Sequence, residues 1–296
     1  MEDTIILYPT PGMGHLVPMV ELGKLILTHN PSFSIIILIT TAPFDTGSIS
    51  SYIKRVTVAT PSVHFLHLPT ISPPSTTSSD NIAALAFELP RLYNSNLHHA
   101  LQTMISQKSR PRASIIDMFC NSSFEVFTSL DIPTYYFCAF GASNLSALLS
   151  LPKTHQILLQ KNKDPNTSIE FPGVPPIPTP DLPGPFLDTE GIAYKSLFGT
   201  AINMYGVFKA EQLTEMAIGV LLVEEMKVAL ALEQSENRFV SADELEKRVR
   251  ELMDSVSGEG VRERVRAMRD CAKAAICDGG SSRVALAELV ESWKDG

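Results

Sequence analysis

Apolar stretches of strand length alternate with stretches of helical period over the first half of the chain. The apolar runs that predict β-strands lie at 4–9, 33–41, 63–68, 113–119 and 133–139. Helical periodicity predicts helices at 15–29, about 80–107, 121–130 and 142–160. Strands that alternate with helices are typical of a parallel sheet with crossover connections, so we expect an α/β fold.

The pattern changes after the fifth strand and the helix that follows it. Residues 162–188 are rich in proline and have no helical period, which predicts an extended, stiff connector. A short helical run follows at 190–203. We therefore divide the chain into an N-terminal Rossmann-like unit at 1–161, a connector with a short helix at 162–204, and a C-terminal remainder at 205–296.

The C-terminal remainder holds more than half of the chain's Asp, Glu, Lys and Arg residues and shows helical patterns. Ser241 begins a capping box, SADE, which opens a helix to about Ser255. A second helix stops at Gly279-Gly280, and Ser281 is placed to cap a third. We expect a mostly helical remnant and not a complete second α/β domain. The apolar stripe of the third helix must pack against a partner and consists of Leu286, Leu289, Val290 and Trp293.

Composition and charge narrow the classes of function. The net charge of −8 argues against nucleic acid and against an anionic membrane surface as partners, and no apolar run is long enough to span a bilayer. Met1-Glu2-Asp3 shows no leader pattern, so we expect a cytoplasmic protein. The four cysteines form no CxxC pair and are expected to be buried thiols.

A glycine-rich turn near the N-terminus carries the first candidate for chemistry. Residues 11–15, PGMGH, join the first predicted strand to the first predicted helix. Open α/β sheets bind ligands at such turns, at the carboxyl edge of the sheet. We therefore expect the imidazole of His15 to face a cleft. A histidine buried in the core is the alternative.

A carboxylate ends another predicted strand. Asp117 closes the run SIID, and its burial is costly unless it faces a cleft or a partner. If the two strands are neighbours, Asp117 and His15 can pair, and the paired imidazole can remove a proton from a hydroxyl group. Alternatively, Asp117 caps the helix that begins at Asn121. The spacing alone leaves both interpretations open.

Other catalytic motifs are incomplete. Gly12-Met13-Gly14 lacks the third glycine of the dinucleotide fingerprint and the lysine of a P-loop. No Gly-x-Ser-x-Gly elbow occurs, which disfavours a hydrolase that pairs His15 with a serine. Four further histidines have no carboxylate or cysteine at metal-ligand spacing, so we predict no metal site; they are His64, His67, His98 and His99.

Several long stretches resemble plant UDP-sugar-dependent glycosyltransferases, above all the members that glucosylate flavonoids, chalcones and anthocyanidins. In the first two thirds of the chain they are YPTPGMGHLVPMVELGKLIL, SIIDMFCNSSFEV, IPTYYF and FPGVPPIPTPDLP. In the last third they are LVEEMKVAL, FVSADELEKRVRELMDS and GGSSRVALAELVESW. The resemblance implies a GT-B fold, in which an N-terminal Rossmann-like domain binds the acceptor and a C-terminal one binds the UDP-sugar.

The resemblance also implies roles for particular residues. His15 corresponds to the family's general base, and Asp117 corresponds to the aspartate that orients it. Gly14 and Phe119 correspond to positions in the acceptor site. The implied substrates are a phenolic acceptor and a UDP-sugar, with glucose as the expected sugar and inversion at its anomeric carbon. No cofactor beyond this co-substrate is implied, and we expect a monomer.

The donor-binding part of the family pattern is missing. The family's donor box begins with Trp-Ala-Pro-Gln and contains His-Cys-Gly-Trp-Asn-Ser, whereas this chain has one tryptophan, Trp293, and no histidine after His155. The donor-binding residues are therefore unknown, and we expect that two internal segments have been lost. Two hypotheses follow: an active UDP-glycosyltransferase, or a catalytically impaired truncated or splice product that keeps acceptor binding or an interaction role.

Overall fold

The computed structural model of the protein describes residues 2–42, 47–71, 82–140, 142–161, 164–171, 174–207 and 241–294. Its strands are β1 (Glu2–Tyr8), β2 (Ser34–Ile39), β3 (Val63–His67), β4 (Ser109–Asp117), β5 (Thr134–Phe137), β6 (Ser168–Phe171) and β7 (Val174–Pro178). Its helices are α1 (Met13–His29), α2 (Ser48–Ala59), α3 (Ile82–Ser106), α4 (Phe124–Thr128), α5 (Ala142–Lys161), α6 (Gly184–Leu187), α7 (Ile192–Val207), α8 (Ala242–Asp254), α9 (Val256–Ile276) and α10 (Ser281–Ser292). Short 3₁₀ helices lie at Met118–Ser123 and Thr179–Asp181.

Five strands form one parallel sheet in the order β3-β2-β1-β4-β5. The inner parts of its central strands are apolar because helices cover both faces, and Ile5, Ile6 and Leu7 of β1 are fully buried. The predicted α/β class and all five predicted strands are confirmed. The order of the strands reverses between β1 and β4, and such a switch point opens a crevice at the carboxyl ends of the strands.

Helices cover the two faces of this sheet with separate apolar clusters. On one face, Leu16 of α1 and Val290 of α10 pack against alternate residues of β1 and β2. On the other face, Tyr93 of α3 and Phe127 of α4 pack against the intervening residues of the same two strands, such as Ile6 and Leu38. The alternation along each strand follows from the two-residue period of β-structure.

Helix α2 was not predicted from the sequence. Its buried residues are Ile49, Ile53 and Val56, and their spacing is that of one helix face. Serine and β-branched residues fill most of the remaining positions and have modest helix propensity, which hides this pattern. Packing of the apolar face against the sheet stabilises the helix in spite of that propensity.

The proline-rich segment is extended in β6 and β7, as predicted, but these strands are also paired and packed. The prediction of a wholly extended connector is wrong, because the 3₁₀ helix at Thr179–Asp181 and helix α6 lie within the same segment. Strands β6 and β7 are antiparallel, with Ile169 opposite Ile177. Ile169 and Phe171 are buried in an apolar cluster with residues of α5 and α7. The segment therefore extends the packed body of the N-terminal unit. The domain boundaries at 161/162 and 204/205 stay predictions.

Three helices make up the described part of the tail, and the predicted mostly helical character is confirmed for it. The Ser241 hydroxyl accepts a hydrogen bond from the backbone N–H of Glu244 at 3.1 Å, as the capping box predicted. The predicted cap of the last helix is wrong, because Gly280 and not Ser281 occupies the N-cap position. The LVEEMKVAL stretch lies outside the described residues. None of the helices that the structure describes is both long and apolar enough to cross a membrane.

The expectation that the cysteines are buried holds only for the N-terminal unit. Cys120 is buried and Cys138 is half-buried, whereas Cys271 and Cys277 are exposed. Both exposed cysteines lie in the tail, where helix α8 has no buried residue and α9 has few. The tail therefore offers little core for its thiols to enter.

The last helix packs against the N-terminal sheet, as its apolar stripe predicted. Trp293, which follows α10, is 3% exposed and belongs to the same apolar cluster as α1. Its ring lies 5.7 Å, centroid to centroid, from the ring of Tyr135 on β5. The end of the described chain is thus attached to the N-terminal unit.

Trp293→Ala is expected to lower the free energy of unfolding by about 3–5 kcal/mol, because it removes a buried ring and leaves a cavity. Trp293→Phe should cost much less, since it keeps an aromatic contact and removes an indole N–H that has no hydrogen-bond partner among the described residues. Urea unfolding followed by circular dichroism measures both. Val256→Ala, at a position 86% exposed, is the control. A loss for Trp293→Ala no larger than the control's would contradict the docking of the last helix.

Candidate active site

The first turn between strand and helix places His15 at the switch point of the sheet. Helix α1 begins at Met13, with Gly12 as its N-cap residue. Gly12 has a φ of 133°, a conformation that residues with a side chain rarely adopt, so glycine is needed there. His15 lies in the first turn of the helix, and its side chain is 30% exposed. It is therefore not a core histidine.

His15 and Asp117 form a hydrogen-bonded pair, the interpretation that the family resemblance favoured. His15 Nδ1 lies 2.7 Å from Asp117 Oδ2. Asp117 is the last residue of β4, the neighbour of β1 in the sheet, and its side chain is 1% exposed. Its other oxygen, Oδ1, accepts a hydrogen bond from the backbone N–H of Phe119 at 3.0 Å. Asp117 is thus both the partner of His15 and the cap of the 3₁₀ helix that follows β4.

The pairing determines which nitrogen of His15 carries the proton. An ionised carboxylate only accepts hydrogen bonds, so the proton lies on Nδ1 and the lone pair of Nε2 stays available. A neutral imidazole held in this way can take a proton from a hydroxyl group within hydrogen-bond reach. Asp117 can then stabilise the imidazolium that forms.

Aromatic rings and open space border this pair. The Phe119 ring stands edge-on to the His15 ring, with centroids 5.4 Å apart, and it contacts Phe87 of α3 at 4.7 Å. Gly14 is exposed, and a Cβ atom built there would meet no other atom within 4 Å. The space beside His15 is therefore accessible to an apolar molecule. The acceptor-binding roles of Gly14 and Phe119 stay predictions.

Side chains from three elements hold the 3₁₀ helix of the site. The Asn121 side-chain oxygen accepts hydrogen bonds from the Tyr136 hydroxyl of β5 at 2.6 Å and from the Asn203 amide of α7 at 3.0 Å. Asn94 of α3 accepts one from the Ser123 hydroxyl at 2.6 Å. Burial raises the pKa of Tyr136, so its hydroxyl stays a donor. Sequence analysis missed these residues, since scattered polar residues give no periodic signal.

An apolar cavity lies beside the same 3₁₀ helix, between α5, α7 and the β6–β7 pair. Its volume is about 180 Å³, and a cavity of about 150 Å³ is enough to bind benzene. Asn144 is the one polar side chain among the described residues that line it. The lining residues are Met118, Phe140, Asn144, Ala147, Leu148, Phe171, Ile177, Leu182, Pro183, Phe186 and Leu197.

Comparison with known proteins finds relatives along the whole chain. UDP-glycosyltransferase 88B1 from Stevia rebaudiana is 32% identical, in an alignment that covers 99% of this chain and 99% of the relative. Anthocyanidin 5,3-O-glucosyltransferase from a Rosa hybrid cultivar is 29% identical with the same coverage. No protein-family model matches the chain.

A solved structure with the same fold is that of Phytolacca americana UGT2 complexed with UDP-2fluoro-glucose and pterostilbene. It has a TM-score of 0.84 at 18% identity and covers 99% of this chain and 100% of its own. The likeness confirms the predicted GT-B-like fold class, here with a five-stranded parallel sheet and a mostly helical tail in the described residues. The sequence identity to the Stevia relative and the shared fold lead to one conclusion. This chain belongs to the plant UDP-glycosyltransferases, a family of UDP-sugar-dependent transferases.

Proposed function

We propose that the His15 site serves the transfer of glucose from UDP-glucose to a phenolic hydroxyl group of a flavonoid-type acceptor, with inversion at the anomeric carbon. The observation that carries this proposal is the 2.7 Å contact between His15 Nδ1 and the buried Asp117. It presents Nε2 as a base at the carboxyl edge of the sheet. The adjacent apolar cavity suits an aromatic acceptor.

In this reaction His15 acts as the general base. Nε2 takes the proton of the phenol while the phenolic oxygen attacks the anomeric carbon of the sugar. The new carbon–oxygen bond forms as the bond between sugar and diphosphate breaks, and UDP leaves with the electron pair. A single displacement from the opposite face inverts the configuration. Asp117 keeps the Nδ1 proton in place and stabilises the positive charge that develops on the ring.

The relatives support this choice of substrates. The Rosa relative is by name an anthocyanidin glucosyltransferase, and the Phytolacca structure contains a UDP-sugar analogue with pterostilbene. By kinship we assign a phenolic acceptor and a UDP-sugar donor to this chain. Gly14 and Phe119 border the acceptor in this arrangement, which fits the open space beside His15.

The same proposal gives each part of the chain a task. Residues 1–161 form the acceptor-binding domain, 162–204 form the connector, which also lines part of the acceptor cavity, and 205–296 are the remnant of the UDP-sugar-binding domain. We further propose a cytoplasmic monomer that needs no metal and no cofactor other than the UDP-sugar co-substrate.

A second candidate function is acceptor binding without efficient transfer. The sequence lacks the family's donor box, and the alignment with the Stevia relative extends over 463 positions although the chain has 296 residues. The loss of two internal segments from the donor-binding part accounts for both observations. Such a chain keeps the His15–Asp117 pair and the cavity but lacks the groups that hold UDP.

Calorimetric titration of a flavonol tests the acceptor site separately from the donor. We expect binding by the native chain and about tenfold weaker binding by Phe119→Ala, because the variant loses an aromatic contact and apolar area. His99→Ala, at an exposed position of α3, is the control and keeps the native affinity. A native chain that does not bind the flavonol would contradict the proposed acceptor class. An unchanged affinity of Phe119→Ala would remove Phe119 from the site.

A further inference from the structure

We infer that Asn144 selects acceptors by hydrogen-bonding a polar substituent on the ring that lies farther from the reacting hydroxyl group. The inference rests on the proposed function, because it assigns the cavity to an aromatic acceptor. Asn144 lies in the first turn of α5, lines the cavity and is exposed to solvent. Its amide group is therefore at the rim, where the cavity opens.

The size of the cavity determines how much of an acceptor it can hold. At about 180 Å³ it takes one aromatic ring, whereas pockets that enclose a whole drug-sized ligand measure roughly 300–1,000 Å³. An acceptor with two or more rings therefore places one ring in the cavity and leaves the others outside.

The position of the cavity indicates which ring it holds. Met118 lines it, and Phe119, the next residue, packs on the apolar cluster around it and contacts the His15 ring. The reacting ring thus lies beside His15 and Phe119, and the remote ring of the acceptor occupies the cavity.

The polarity of the lining makes Asn144 decisive for a substituent on that remote ring. Ten of the eleven lining residues have apolar side chains, and Asn144 is the exception among the described residues. A hydroxyl group directed at the apolar part of the lining loses its hydrogen bonds to water without a new partner, whereas one directed to the rim can bond the Asn144 amide. The Asn144 amide offers both an acceptor oxygen and donor N–H groups. Acceptors that carry such a hydroxyl are therefore favoured over those that lack it.

Two stilbenes test this inference. One carries a para-hydroxyl group on each ring, and the other carries it on one ring only. The symmetric compound always leaves a hydroxyl group on the enclosed ring, whichever hydroxyl meets His15. Calorimetry gives the ratio of the two affinities for the native chain and for two variants. Asn144→Leu keeps the side-chain shape and removes the hydrogen bond, and Leu197→Ala removes apolar contact in the cavity without changing its polar group.

The native chain is expected to bind the symmetric stilbene about five- to tenfold more tightly than the stilbene with one hydroxyl group. This ratio corresponds to the gain of one hydrogen bond. In Asn144→Leu the ratio of the two affinities is expected to fall. The remaining preference for the symmetric stilbene is the statistical one, which arises because this compound can bind in two equivalent orientations. Leu197→Ala binds both stilbenes more weakly and keeps the native ratio.

An equal ratio in the native chain and in Asn144→Leu overturns the inference. Native affinity of Leu197→Ala for both stilbenes also overturns it, since the ring then lies outside the cavity. If the native chain binds neither stilbene, the proposed acceptor site is itself wrong and the inference fails with it. The pattern of these results therefore distinguishes a failure of the inference from a failure of the proposed function.

Discussion

The purified chain is expected to form no measurable glucoside from UDP-glucose and a flavonol. The diphosphate of UDP gains negative charge as it leaves, and hydrogen-bond donors that point at it must stabilise this charge. Helix N-termini and side-chain hydroxyl, amide or imidazole groups are donors of this kind. The sequence contains no match to the donor box that the family resemblance implies, since Trp293 is its one tryptophan and no histidine follows His155. In the described part of the tail, α8 to α10 provide no glycine-rich turn between strand and helix to replace it.

The rate that a general base contributes is smaller than the rate lost with the groups that hold UDP. Loss of one donor of this kind lowers the rate by about 10²–10³, and absence of the whole donor box would remove several together. A positioned general base contributes about 10²–10⁴. The intact His15–Asp117 pair therefore cannot restore turnover when the groups that hold UDP are absent.

A chimaera separates the acceptor half from the donor half. Residues 1–207 of this chain, followed by the C-terminal half of the Stevia relative, are expected to form the glucoside that the native chain does not. Chromatography of the product measures transfer, and calorimetry with UDP-glucose measures donor binding. Product formation by the native chain, with micromolar binding of UDP-glucose, would show that other residues have rebuilt the donor site.

The sheet was predictable from the sequence, and the contact between His15 and Asp117 only in part. Apolar runs of strand length marked all five strands and their carboxyl ends, most clearly for β1 and β2, whose inner residues are buried on both faces. His15 and Asp117 were placed at such ends by this pattern. Their contact requires β1 and β4 to be neighbours, which local periodicity does not specify. The spacing therefore left the pair open, and the family resemblance was needed to favour it.

Contacts between distant polar residues were not predictable. Asn121 and Asn203 are 82 residues apart in the chain, and their hydrogen bond leaves no trace in the pattern of either segment. Prolines hid the β6–β7 pair, because they cannot donate to a ladder and disfavour central strands. Both strands of a two-stranded sheet are edges, so the prolines of β7 are tolerated there.

In the active chimaera, His15→Ala is expected to lower kcat/KM by about 10²–10⁴ by removing the general base. His99→Ala, with an exposed imidazole on α3, is the matched control and should keep the parent rate. Flavonol affinity measured on the same variants separates a loss of chemistry from a loss of binding. A His15→Ala rate equal to the control's would assign the proton transfer to another group.

Asp117→Asn tests whether the carboxylate acts through His15. The amide of the variant keeps an oxygen for the backbone N–H of Phe119 but can present its NH₂ group to His15 Nδ1, which moves the ring proton to Nε2 and blocks the base. In a serine protease the corresponding change costs about 10⁴ in kcat, and we expect a loss of about 10³–10⁴ here. Because residues that act as a unit are not additive, the double variant His15→Ala/Asp117→Asn should be no slower than the slower single variant. Additive losses would mean that Asp117 contributes to transfer independently of His15.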